Sequence, residues 1–130
     1  MNLSGGSIKA CANFYDINLG NILVVHDDLD LPLGKIKVVK QGGAGGHKGV
    51  QSVIDHFGST QFPRIKIGIG RPRHGESIED FVLSSFYDDQ KDMLEKILKM
   101  SVQACWLFVL GGVEFTMNNI NRQNFEYKEG

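Results

Sequence analysis

Cysteine, proline and tryptophan are scarce in this chain of 130 residues, which holds two cysteines, three prolines and one tryptophan. Cys11 and Cys105 stand alone, without metal-ligand spacing, so a disulfide scaffold and a zinc module are excluded; two buried thiols in a reducing compartment are the expectation. Long apolar runs are missing too. The longest, Ala104 to Gly112, contains Cys, Trp and Gly and falls short of the roughly 18 residues of a membrane span, so no membrane partner is expected. The opening Met1-Asn2-Leu3-Ser4-Gly5-Gly6 has no basic segment followed by an apolar stretch, so no secretory signal is read there and a cytoplasmic location is expected. What remains, 42% hydrophobic and 22% charged, is the composition of a soluble globular protein, and the length suits one domain.

Net charge is also nearly absent, at -1, which argues against a polyanion-binding tail. The sum hides a segregation. Lys35, Lys37, Lys40, Lys48, Arg64, Lys66, Arg71 and Arg73 fall between positions 35 and 73 against one acid, Asp55, and an acidic block follows from Glu76 to Glu95. A local basic patch can bind phosphate chemistry in a protein that is neutral overall.

Ile8, Cys11, Ala12 and Tyr15 have helical spacing, giving a first helix from about Ser4 to Tyr15. Ile22-Leu23-Val24-Val25 reads as a strand buried on both faces, ending in the polar cluster His26-Asp27-Asp28-Leu29-Asp30. Polar residues at the carboxyl end of a buried strand are where open α/β sheets place their sites. Lys35 to Lys40 alternates, with Ile36 and Val38 inward and Lys35 and Lys37 outward. The glycine-rich stretch Gly42 to Gly46 then feeds a helix carrying Val50, Val53, Ile54 and Phe57 and closed by Gly58. Arg64 to Gly70 alternates again, with Ile65, Ile67 and Ile69 on one face and Arg64 and Lys66 on the other. A long amphipathic helix from Asp88 stops at Gly111-Gly112, with Trp106 and Phe108 in its core stripe, and a short helix follows from Glu114 to about Asn119. This order predicts a single α/β domain.

The glycine loop fails both nucleotide fingerprints. A P-loop starting at Gly42 needs Gly at 47, where His47 stands, and a dinucleotide loop starting at Gly43 needs Gly at 48, where Lys48 stands. What survives is a set of backbone N–H groups and a positive helix end, with Lys48 in the first turn: a generic anion site, or simply a tight strand-to-helix connection. His26 and Asp27 are neighbours on a strand and point to opposite faces, so Asp27 would need a histidine from elsewhere to orient. His47 is read as a helix cap, and His56 and His74 as surface residues.

Taken together, Met1-Asn2-Leu3-Ser4-Gly5, His26 to Gly34, Gly42 to Gly49 and Phe62 to Pro72 resemble the bacterial-type peptidyl-tRNA hydrolases, in order and spacing over most of the chain. The resemblance implies a mixed, largely parallel sheet flanked by helices. It also implies metal-independent, cofactor-free hydrolysis of the ester joining a peptide to its tRNA, by a protein expected to be monomeric. By motif position Asn2 would position substrate and water, and Asp27 would hold the histidine that acts as base. Gly45, Gly46, His47 and Lys48 would line the peptide and ribose end of the cleft, and Lys35, Lys37, Lys66 and Arg64 would contact tRNA phosphates. Two departures accompany it. Lys48 stands where the family usually has an asparagine, and the family's histidine lies upstream of the Met-Asn-Leu-Ser-Gly motif with which this chain begins. The expectation is therefore a family domain lacking its N-terminal part, impaired in turnover, with a non-catalytic tRNA-binding or RNA-binding module as the alternative.

Overall fold

The computed structural model describes residues 4–70 and 91–121. In chain order the elements are α1 (Ser4–Phe14), a single 3-10 turn (Leu19–Asn21), β1 (Val24–Asp28), β2 (Ile36–Val39), α2 (Lys48–Phe57), β3 (Arg64–Gly68) and α3 (Lys91–Ile120). Asn2, Arg71, Arg73, His74, the start of the last long helix at Asp88 and most of the acidic block lie outside the described residues.

The sheet has the order β1-β3-β2 and is mixed, with β1 parallel and β2 antiparallel to β3. Register sorts the side chains. Val25 lies opposite Ile65, and Ile65 opposite Val38, while Asp27, Ile67 and Ile36 form the next row of that face. Ile36, Val38 and Ile65 of this face pack against Met100, Ala104 and Ile120 of α3. Val24, on the other face, joins Val50, Val53 and Phe62 with Ile8, so α1 and α2 cover that side. The result is a three-layer α/β arrangement in which the β2 alternation holds: Ile36 and Val38 are buried and Lys37 is exposed.

Four expectations are corrected. β1 is not buried on both faces, Val25 being 39% exposed, and among the described residues it stands at the edge of the sheet. The inner face of α1 is formed by Gly5, Ile8 and Ala12, which leaves Tyr15 exposed. The thiols are not both buried, Cys11 being exposed and Cys105 half-buried. Trp106, placed in the core by helical spacing, is 64% exposed, because α3 turns Ile97, Met100, Ser101 and Ala104 toward the sheet. By length and composition α3 could also cross a membrane. Its backbone breaks at Gly112 (φ 85°), however, and one side of it belongs to the core of the domain.

The outer edge of β2 is satisfied by a side chain. Asn121, just past α3, accepts from the Val38 N–H (2.8 Å) and donates to the Val38 carbonyl (3.0 Å), as a neighbouring strand would. On the opposite face α1 approaches α2 closely at Gly5, whose N–H donates to Ser52 Oγ (3.1 Å). A Cβ at Gly5 would lie 2.1 Å from the Ser52 carbonyl oxygen. Gly5→Ala should therefore cost about 1–3 kcal/mol in urea unfolding, as overpacking of a tight contact does; an unchanged midpoint would show that the two helices are not held this close.

Candidate active site

The site is built where β1 ends and α2 begins. Gly45 and Gly46 have positive φ (58° and 85°), a backbone state that suits glycine and turns the chain sharply into the helix. His47 follows as the N-cap, its Nδ1 accepting from the Val50 N–H at 3.1 Å. An accepting Nδ1 carries no proton, so in the neutral ring the proton sits on Nε2. Nε2 lies 2.9 Å from Asp27 Oδ1 and donates to it. His47 is thus held at both ring nitrogens, between a strand carboxylate and a helix amide.

His26 completes the cluster. Its ring packs edge-on against that of His47, with centroids 4.9 Å apart, and its Nδ1 donates to the Asp27 carbonyl at 2.8 Å. His26 and Asp27 project from opposite faces of the strand, as expected, yet both reach His47. This places the His47 ring beside the edge of β1 that has no strand partner among the described residues. His26 Nε2 is buried without a hydrogen-bond partner among the described residues. Burial lowers the His26 pKa below its usual 6.5, as do the nearby His47 and Lys66, against the raising effects of the Asp27 carbonyl and Asp28.

Basic side chains gather on the His26 face. His26 lies opposite Lys66 and Lys66 opposite Lys37, so two cations face each other across adjacent strands. Like charges in direct register repel, and an anion over the row relieves that repulsion. Lys35 and Lys48 are exposed. Lys40, in contrast, is paired with Glu114 at 3.1 Å.

Arg64 is corrected. It is fully buried, its guanidinium stacks 4.1 Å over the Phe62 ring, and its terminal nitrogens donate to the carbonyls of Gly42, Gly43 and Thr60. It is a clamp on the glycine loop and touches no phosphate at the surface. Within this chain Asp27 hydrogen-bonds His47, which its position gave as a cap and the family resemblance placed at the peptide and ribose end of the cleft; the missed signal was that an N-cap histidine still has a second nitrogen to place.

The site thus combines, in one α/β domain, an aspartate-held histidine at a strand end, a glycine loop and a basic row. A family model described as peptidyl-tRNA hydrolase matches residues 1–128, and the chain belongs to that family. It is 44% identical over 126 residues to a peptidyl-tRNA hydrolase of Clostridium botulinum (strain Langeland), covering 97% of this chain and 66% of the relative. A peptidyl-tRNA hydrolase of Geobacillus thermodenitrificans is 43% identical over 121 residues, covering 93% of this chain and 65% of the relative. The crystal structure of the Acinetobacter baumannii peptidyl-tRNA hydrolase superposes with a TM-score of 0.85 at 33% identity, over 95% of this chain and 63% of that one. The chain thus spans just under two thirds of the length of these relatives.

Because burial favours the neutral form of His26, its contribution to stability is complete above pH 6.5 and is lost as pH falls through its lower folded-state value. Thermal midpoints recorded from pH 7.5 down to 5 should therefore fall more steeply for the native chain than for His26→Phe. Parallel curves would exclude His26 as the titrating group.

Proposed function

We propose that this chain binds peptidyl-tRNA across the basic row and the glycine loop, and that the chemistry of its site is hydrolysis of the ester between peptide and terminal ribose. The observation that carries this reading is the Asp27–His47 hydrogen bond at the carboxyl end of β1, next to Lys66 and Lys37. Water adds to the ester carbonyl, a base takes its proton, and the ribose oxygen leaves protonated, giving a free peptide carboxylate and a recyclable tRNA. In this reading Asn2 positions substrate and water. Gly45, Gly46, His47 and Lys48 border the peptide and ribose end, and Lys35, Lys37 and Lys66 meet tRNA phosphates. The setting is translation in the cytoplasm, and the chain acts as a monomer.

Turnover by the chain alone is expected to be low. A general base needs a free imine nitrogen within reach of water. Among the described residues His47 has both nitrogens engaged, and His26 Nε2 is buried. The same observation favours a second reading, a tRNA-binding module that keeps the clamp without cleaving.

Filter binding and an ester-cleavage assay on the purified chain separate these readings. We expect tRNA affinity that falls with salt. Lys66→Ala should weaken binding and reduce the slope of log K against log salt by about 0.7–0.9, one phosphate contact. Cleavage at the rate of full-length relatives would contradict the engaged-histidine account, and absence of tRNA binding at low salt would contradict the whole proposal.

A further inference from the structure

Arg64 is a wholly buried cation with no carboxylate partner among the described residues, and burial lowers its pKa. Such a group is costly to bury unless its donors are used. Here the two terminal nitrogens are directed to three backbone carbonyls, two of them in the glycine loop at Gly42 and Gly43 and the third at Thr60, while Nε is buried without a partner among the described residues. The Gly42 N–H also donates to the Thr60 carbonyl, at 3.3 Å, so loop and guanidinium share one anchor. Lysine, a point charge on a flexible stem, cannot reproduce a planar fork reaching several carbonyls while stacked on Phe62.

The consequence lies on the far side of the peptide planes. No peptide bond here is cis, and in a trans peptide the C=O of one residue and the N–H of the next point in opposite directions. Turning the Gly42 and Gly43 carbonyls toward Arg64 turns the N–H groups of Gly43 and Ala44 away from it. Neither N–H donates to a backbone acceptor among the described residues.

We infer that Arg64 is a positioning residue that presents the Gly43 and Ala44 amides as a paired donor site for an oxyanion of phosphate type. Two successive N–H groups directed the same way form a known kind of anion concavity, and this one stands in the loop that leads to His47. The assignment of the anion to the tRNA backbone rests on the peptidyl-tRNA reading; the donor site itself does not.

The test uses the full chain, labelled with nitrogen-15 and titrated with inorganic phosphate, with no tRNA present. The Gly43 and Ala44 amide signals should move in a saturable way, and Arg64→Lys should weaken that response at least fivefold while the Ser101 and Ala104 amides of α3 keep their positions. Arg64→Met, if it folds, should abolish it. Amides that do not respond in the native chain, or that respond equally in Arg64→Lys, would overturn the inference. A parallel titration with tRNA separates the two readings: a phosphate response without tRNA binding rejects the peptidyl-tRNA reading and leaves the donor site standing.

Discussion

The His47 ring is the joint on which the local architecture depends. One nitrogen takes the Val50 amide and so starts α2; the other reaches Asp27 and so fixes the end of β1. Neither contact alone specifies the ring. The helix amide selects the tautomer, and the tautomer makes the carboxylate a partner. Since α2 also packs against α1 and buries Val50 and Val53, displacement of His47 would be felt in the core of that layer as well as in the site.

Two cations near this joint have different tasks, and burial separates them. Arg64 and Lys66 sit two residues apart on β3 and share a face by alternation. Arg64 nevertheless lies beneath the glycine loop and hydrogen-bonds its carbonyls, while Lys66 lies between His26 and Lys37 in the row that remains open to an anion. A basic block is therefore not uniformly a binding surface. Part of its charge shapes backbone, and part of it stays at the surface.

Much of this was legible in the residues. The period-two alternation of Ile36 and Val38 with Lys37 specified β2, and the Val50, Val53 spacing closed by Gly58 specified α2, because both patterns are local. Parity along β1 correctly separated His26 from Asp27. Three things escaped it. An edge strand and a buried one share the composition of Ile22 to Val25, so the exposure of Val25 depends on sheet order, which no local pattern contains. The helical stripe placing Trp106 inward did not fix which side of α3 meets the sheet. The inward course of Arg64 is set by carbonyls from a loop more than twenty positions earlier in the chain.

The central claim is that His47 is engaged at both ring nitrogens, and imidazole nitrogen-15 spectroscopy of the folded chain at neutral pH reads it directly. The Nε2–H tautomer is predicted, with its proton in slow exchange; Asp27→Ala, which removes the acceptor, should speed that exchange while the Val50 amide keeps the tautomer. A ring averaging between tautomers, or one protonated at Nδ1, would contradict it.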